Sequence, residues 1–429
     1  MKEVIHVIGG GTVFHVRPHL ALSAPAYGAT ARNIAVLCDK LDDIEHPKRE
    51  VRLHLTKMAG GDKLETNADI DALLTKLIAS KETKVIFMTA ALCDFEGSIL
   101  DYGDFKDKLE PSRSGKNQPR LRTAEGQQTM ILTPAEKLIG KIRKERKDIF
   151  LVGFKTTASA TEDQMYLSGL DLLKKNHCNL VLVNDVHTHL NLIVAPELAR
   201  YGVTHDREEV LEELVQMMNS RSRLTFIRTT VEKGDLIPWD ANKIPASLRT
   251  VVDWCADHGA YKAFNDVTVG HFAFREDWNT LISSRRRQNY NRRECRDLVR
   301  VAFVRATPGL VEEKMVAYGA KPSAGTRSQF EVLNTWYDKD SYDCIVHFHC
   351  PLKPGSKVNV RPQKDLECGS HECGVNTWKG ITKHGNLAAV MLDQHGPNII
   401  FRRDIDPQEV IKFIDENFDL SVRSDGMRE

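Results

Sequence analysis

Val4-Ile5-His6-Val7-Ile8-Gly9-Gly10-Gly11-Thr12 decides the reading of this chain. The first five residues are a short β-rich run, and three glycines then stop it before an Ala-rich, helix-compatible stretch from Ala21 to Leu41. Strand, glycine loop and helix predict an α/β domain. A glycine triplet after a strand lets backbone N–H groups approach phosphate, and the next helix offers its positive end to the anion. The triplet matches neither the dinucleotide fingerprint nor a Walker loop. A tight strand-to-helix turn accounts for it equally well.

Outward from this stretch the alternation recurs. Helical patterns at Ile70–Ile78, Pro134–Arg146 and Gln164–Asn176 interleave with strand patterns at Lys84–Thr89, Ile149–Phe154 and Leu180–Val183. Such alternation predicts right-handed crossovers and a mostly parallel sheet covered on both faces. Asp104 to Gln127, rich in Lys, Arg, Ser, Gly and Pro, is expected to be a basic loop. An amphipathic helix over Glu208–Met218 closes this unit, and Asn219-Ser220-Arg221-Ser222 reads as a linker, with the boundary near residue 222. Beyond it, a helix over Leu248–His258 precedes strand-like runs at Val267–Phe274, Thr280–Ser283, Ile345–His349, Ala388–Leu392 and Ile399–Phe401. A helix over Pro407–Asn417, capped by Asp406, follows them.

Length and composition set the class. A chain of 429 residues exceeds one ordinary core, and 41% hydrophobic with 28% charged residues is globular. Sixty Lys plus Arg against 59 Asp plus Glu leave no net field, so neither nucleic acid nor an anionic membrane is an expected partner. The first residues form no signal peptide and no apolar run spans a bilayer, which predicts a cytoplasmic protein. Nine scattered cysteines, an odd number, predict free thiols.

The N-terminal half carries six ordered motifs: Gly9-Gly10-Gly11-Thr12, Ala90-Ala91-Leu92-Cys93-Asp94-Phe95, Lys106-Asp107-Lys108-Leu109, Leu132-Thr133-Pro134, Val152-Gly153-Phe154-Lys155 and Val183-Asn184-Asp185-Val186. In order and spacing they resemble phosphopantothenoylcysteine synthetase over nearly all of residues 1 to 218. The resemblance implies a Rossmann-like nucleotide-binding domain over 1–222 that uses CTP or ATP with Mg2+ to join a carboxylate to an amine. By the same resemblance Gly10, Gly11 and Thr12 face the phosphates, Asp94, Asn184 and Asp185 the nucleotide, and Lys106 or Lys108 the activated carboxylate. The family's asparagine in its Asn-x-Ser-Ser-Gly segment is replaced by Ala24, and the acidic residue after the Gly-Phe strand is missing from Lys155-Thr156-Thr157. These departures imply altered chemistry on a retained fold.

In the C-terminal half, Cys344-Ile345-Val346-His347-Phe348-His349-Cys350 has strand composition, and residues two apart on a strand share a face. Two imidazoles can therefore reach one ion, and His395, in a His-Gly turn, is the candidate third ligand. Thr268-Val269-Gly270-His271-Phe272-Ala273-Phe274-Arg275, Leu281-Ile282-Ser283-Ser284, Lys321-Pro322-Ser323, the His-x-His strand and the His-Gly turn resemble the class II aldolase/adducin family over about residues 248 to 417. The resemblance implies an α/β/α domain over 223–429, a Zn2+ or related divalent ion on His347, His349 and His395, and lyase or epimerase chemistry on a phosphorylated small molecule. It places the phosphate at Thr268, His271, Ser283 and Ser284, with Thr326-Arg327 nearby, and the neighbouring Arg285-Arg286-Arg287 suits an anion. The family's acid/base carboxylate falls at Ser328, with Gln329 and Glu331 beside it; Glu331 substitutes only if the loop differs in length. Cys368, His371 and Cys373 are spaced for a structural zinc knuckle completed by Cys350 or Cys344, or they form a loop in which His371 donates a proton.

The leading expectation is a bifunctional metabolic enzyme. The alternatives are a nucleotide-dependent ligase with a non-catalytic, aldolase-like binding or oligomerisation domain, and an adducin-like interaction module. Both families imply a homo-oligomer.

Overall fold

β1 (Val4–Gly9) is buried along its whole length, which requires cover on both faces of its sheet. The computed structural model describes residues 2–41, 47–102, 109–304 and 313–427. They form two compact units, one of Met1–Ala195 with Tyr201–Ser222, the other of Pro196–Arg200 with Arg223–Glu429.

In the first unit, α1 (Ala29–Asp39), β2 (Glu50–Leu55), α2 (Asn67–Ala79), β3 (Thr83–Met88), α3 (Ile139–Glu145), β4 (Phe150–Thr157), α4 (Glu162–Asn176) and β5 (Leu180–Asp185) follow β1. β6 (Asn191–Val194), β7 (Arg200–Thr204) and α5 (Arg207–Arg221) complete it. The sheet order is β2-β1-β3-β4-β5-β6-β7, parallel from β2 to β5, with β6 antiparallel to β5. Strand order reverses at β1 and β3, so the sheet's switch point lies beyond Gly9 and Met88. Thr66 and Thr161 cap α2 and α4 in capping boxes with Asp69 and Gln164, and Asp206 caps α5.

Local expectations needed correction here. The Ala-rich run from Ala21 does not start a helix: Leu20–Ser23 pairs with Val13–Arg17 as a hairpin, and α1 begins only after Gly28, at φ +77°. Pro134 ends a strand, Met130–Pro134, rather than opening a helix. That strand pairs with Phe95–Tyr102, and Leu109–Pro111, inside the expected loop, joins on the other side.

In the second unit β8 (Arg228–Glu232), α6 (Ala246–Asp257), β9 (His271–Asp277), β10 (Thr280–Ser284), β11 (Leu298–Val304), β12 (Lys314–Tyr318) and α7 (Thr326–Asp340) come first. β13 (Cys344–His347), α8 (His371–Gly380), β14 (Leu387–Leu392), β15 (Gly396–Phe401) and α9 (Pro407–Asn417) follow. The sheet runs β8-β12-β11-β10-β9-β13-β15-β14 and on to Val360–Arg361. Alternate residues face opposite sides. Phe272, Phe274, Cys344, Val346, Ile399 and Phe401 pack with α6 and α9, while Ala273, Ile345, Val390 and Ile400 pack with Phe330, Leu333 and Trp336 of α7. This is an α/β/α layer arrangement. β8, β11, β12, α7 and α8 had no clear sequence pattern, and Gly270, at φ +113°, separates β9 from Val267–Thr268.

Candidate metal centre

The same alternation that puts Ile345 under α7 puts His347 on that side, at the last position of β13. β15 lies beside it, with Asn398 opposite His347. The β14–β15 turn then brings His395 across. A side chain at Gly396, φ +141°, would stand 2.0 Å from the Phe348 carbonyl oxygen, so only glycine lets the turn close on the His349 backbone. His347, His349 and His395 are all buried, and one nitrogen from each lies within 4.8 Å of the others. Ring centroids stand 5.0, 4.7 and 4.8 Å apart, with interplanar angles of 72°, 70° and 86°.

The donors suit a divalent ion. His347 Nδ1 donates to the Pro397 carbonyl at 2.7 Å, which fixes the tautomer and leaves Nε2 with the lone pair. That Nε2 is buried and has no hydrogen-bond partner. Burial first, then His395, holds the His347 pKa well below the ordinary histidine value, so the ring is neutral, as a ligand must be. Imidazole nitrogens in a tetrahedral zinc site stand about 3.4 Å apart, and the three nitrogens here lie within 4.8 Å of one another. Three ligands without a fourth leave an open position, the pattern of a catalytic rather than a structural site; among the described residues no carboxylate or thiolate joins the group.

A segment outside every sequence motif supports His349. The Ser424 N–H donates to the His349 carbonyl at 3.1 Å. Its neighbours Arg423 and Asp425 are buried and paired at 2.9 Å, and the Ser424 hydroxyl is buried without a hydrogen-bond partner.

Of the expected phosphate residues only His271 is in contact with a residue of the triad, and the four do not form a ready anion pocket. His271 stands opposite His347 on β9 and stacks on it, and a side chain at Gly325 would strike its ring. Thr268 Oγ1 is spent on the Gln288 carbonyl and the Tyr290 N–H, and Ser284 Oγ accepts from the Phe272 N–H. Ser283 Oγ donates to Gln329 Oε1 at 3.2 Å and lies 3.1 Å from Thr326 Oγ1. All four expected residues are nearly inaccessible.

Glu331 does not join the metal group. One turn beyond Ser328 on α7, it pairs with Arg327 at 2.5 Å and with His371 Nδ1 at 3.0 Å, against α8. Ser328 donates to the Ser370 carbonyl at 3.2 Å. The knuckle reading fails. His371 is engaged by Glu331 and Arg327, Cys373 lies 3.5 Å from Gln363 Nε2, and among the described residues no group other than the histidine triad has metal-holding spacing.

In the first unit the glycine loop is occupied by the chain itself. A side chain at Gly10, φ +101°, would meet Thr56, and one at Gly11 would meet the Ala24 carbonyl, each about 2 Å away. The N–H groups of Gly11 and Thr12 already donate to Ala26 and Ala91 carbonyls at 2.7 and 3.0 Å. Thr12 Oγ1 bonds Asn67 at 2.7 Å. The Ala91 contact ties the chain after β1 to the chain after β3, and in this conformation Gly11 and Thr12 have no amide left for phosphate. Asp185 is likewise committed: it accepts from the N–H groups of Ser159, Ala160, His187 and Thr188 and from Thr157 Oγ1, at 2.9 to 3.1 Å. These donors, Ala160 first, hold its carboxyl far below the usual range. It organises two loops rather than presenting a free carboxylate to a nucleotide. Asn184 accepts from Thr156 Oγ1 at 3.3 Å, and Asp94 is exposed and paired with Lys137. Lys106 and Lys108 lie outside the described residues.

Ser424, Arg423 and Pro397 were missed as site residues. They follow no period, and only the folded chain brings them to the triad or its flank.

No family model and no curated protein matches this sequence. Solved structures are similar to each half. The DNA/pantothenate metabolism flavoprotein from Streptococcus pneumoniae matches 51% of this chain and 99% of its own, at 17% identity and a TM-score of 0.39. A sugar-phosphate aldolase from Thermotoga maritima matches 38% of this chain and 91% of its own, at 14% identity and a TM-score of 0.27. An L-fuculose 1-phosphate aldolase matches 41% and 82%, at 13% identity and a TM-score of 0.29.

Proposed function

We propose that the chain is a two-part metabolic enzyme whose second unit is a divalent-metal lyase or epimerase of the aldolase type. Its first unit is then a ligase-like domain that binds CTP or ATP with Mg2+. The observation that carries the reading is the buried triad of His347, His349 and His395, with His347 anchored by Pro397 and its Nε2 left without a hydrogen-bond partner. Neutral nitrogen donors in a closed polar site are costly unless something binds them.

A zinc or similar ion on these three nitrogens would supply Lewis-acid polarisation of a substrate carbonyl oxygen. The chain's own residues do the rest. Pro397 and Ser424 hold two of the ligand residues in place, and burial keeps water from competing. Glu331 and His371 stand 3.0 Å apart with Arg327 against both, at a partly exposed position where they are the chain's candidates for exchanging a proton with solvent. Ser328, in the register of the missing carboxylate, has no acidic proton to offer.

For the first unit the reading rests on the ordered motifs. Asp94 and Asn184 remain its nucleotide contacts, and Lys106 or Lys108 its contact to the activated carboxylate. The substrates are phosphorylated small molecules, and the assembly is a cytoplasmic homo-oligomer.

Metal analysis of the purified protein tests the centre. One divalent ion per chain is expected, lost in His347→Ala without loss of fold. Absence of metal together with a silent His347→Ala would reduce the second unit to a binding or oligomerisation module. Titration with CTP and ATP, with and without Mg2+, tests the first unit; binding of neither would leave it a scaffold.

A further inference from the structure

The end of the second unit's sheet that lies away from the histidine triad holds a cleft of about 420 Å³. Cys344 of β13 pairs with Phe401 of β15 at the cleft end, and His347 pairs with Asn398 three residues, or about 10 Å, further along. The floor is Tyr342, 4% exposed, whose ring packs near Trp336 in the core beneath α7. Among the described residues its hydroxyl has no hydrogen-bond partner. Burial first, then Asp340, raises the Tyr342 pKa, so the hydroxyl keeps its proton. A buried tyrosine hydroxyl ordinarily finds a partner, and here the cleft is the space left to supply one.

Charge on the rim decides the kind of partner. Lys383 pairs with Asp340 at 2.5 Å and Arg402 with Asp404 at 2.7 Å, which cancels both cations of the lining. Asp406 and Glu409 are left with neutral donors, the Gln408 N–H at 3.0 Å and Asn386 Nδ2 at 2.8 Å. The described lining residues therefore carry two negative charges in surplus. Asp406 caps α9 and Glu409 lies in its first turn, so the helix end offsets about half a charge and leaves the rest. That surplus repels an anion. A metal ion does not fit either: among the described residues only the histidine triad has the spacing to hold one, so the rim carboxylates stand too far apart.

We infer that this cleft is a binding site for a small aliphatic diamine. One ammonium group sits at Asp406 and Glu409, and the other donates to the Tyr342 hydroxyl. Two charges separated by a short alkyl chain match carboxylates that are themselves separated, and the partly buried Ile405 gives the chain an apolar wall. The site does not depend on the triad's holding a metal.

Calorimetric titration of the full-length protein with 1,4-diaminobutane, at physiological ionic strength, tests it. One site per chain is expected, with butylamine roughly fivefold weaker, the worth of one surface ion pair. The diol 1,4-butanediol should not bind. Asp406→Asn keeps a good helix cap and Glu409→Gln keeps an acceptor for Asn386, so each removes charge without removing structure. Each should weaken the diamine about threefold to fivefold, and Tyr342→Phe by a similar factor. Glu416→Gln, on the same helix but outside the cleft, should change nothing. No saturable binding, butylamine as tight as the diamine, or equal weakening by Glu416→Gln overturns the site. Unchanged affinity in any two of the three cleft variants does so too.

Discussion

His271 and His347 face each other across the antiparallel pair β9–β13, their rings stacked at 29°. Burial drives both well below the ordinary histidine pKa, and each is lowered further by a neighbouring histidine. They differ in what the fold gives them. His347 has a carbonyl on Nδ1 and two further imidazoles within ligand distance, whereas His271 lies outside that group.

The first prediction follows from this difference. His347→Ala removes one of three ligands and should abolish stoichiometric metal. His271→Phe keeps an aromatic ring against His347 and should leave metal content at one ion per chain. Elemental analysis of both variants checks it, and equal loss in both would mean that His271 is itself a ligand.

Ser424 gives the second. Its N–H is the donor to His349, so Ser424→Pro removes the bond while Ser424→Ala retains it. Loss of a partner that orients a ligand typically costs about 10–100-fold in metal affinity. Competition with a chromophoric chelator should show that loss in the proline variant and near-native affinity in the alanine variant. A weakened alanine variant would assign the effect to the hydroxyl instead.

Asp185 gives the third. Five donors converge on its carboxylate, so Asp185→Ala leaves several amides without their acceptor and should lower the melting temperature by at least several degrees. Its folded pKa is depressed, so its contribution is present above the unfolded value and is lost as pH falls toward the folded one. Asp185→Ala should therefore narrow its gap to the parent protein in strong acid. A variant with unchanged melting that simply lost nucleotide binding would restore the direct nucleotide role.

What the sequence shows and what it hides follow from range. The Val4–Ile8 strand, the α4 and α5 helices and the strand that ends at His347, two residues short of the expected His349, are legible because apolar period and capping residues act within a few positions. The glycine triplet was legible as a turn but not as to what fills it: Ala24, Ala26 and Thr56 reach it only after the chain has folded back. Asp185 reads from its motif as a nucleotide contact, and the four backbone amides that converge on it come together only in the folded chain. Thr268, Ser283 and Ser284 read from their motifs as phosphate contacts, yet their hydroxyls are satisfied by backbone and side chains that no motif names. α7 and α8 were missed because they interleave buried polar residues, among them Arg327, Gln329 and Asn376, with their apolar faces.

The last prediction concerns the sheet of the first unit. His6 on β1 lies 3.0 Å from His54 on the neighbouring β2, nitrogen to nitrogen, with Thr83 of β3 at 3.3 Å on the other side. A buried and a half-buried imidazole in contact can share one proton but resist a second charge. Burial, then His54 and Arg52, lowers the His6 pKa from 6.5 to about 4, with Glu50 opposing. His54 is lowered by burial and Arg52. Because His6 takes up its proton less readily when folded, the unfolded chain binds more protons between these two values, and stability rises with pH across that window. The contribution is complete above about pH 6.5, falls as pH drops towards 4, and changes little below. His6→Leu, which cannot titrate, should flatten this part of the profile when denaturant midpoints are compared at half-unit pH steps. The carboxylates Glu50 and Glu65, held down to about 2 by their cationic partners, lose their contribution in a more acidic range and remain in both proteins. A difference between parent and variant that is independent of pH from 4 to 7 would show that His6 does not titrate on unfolding.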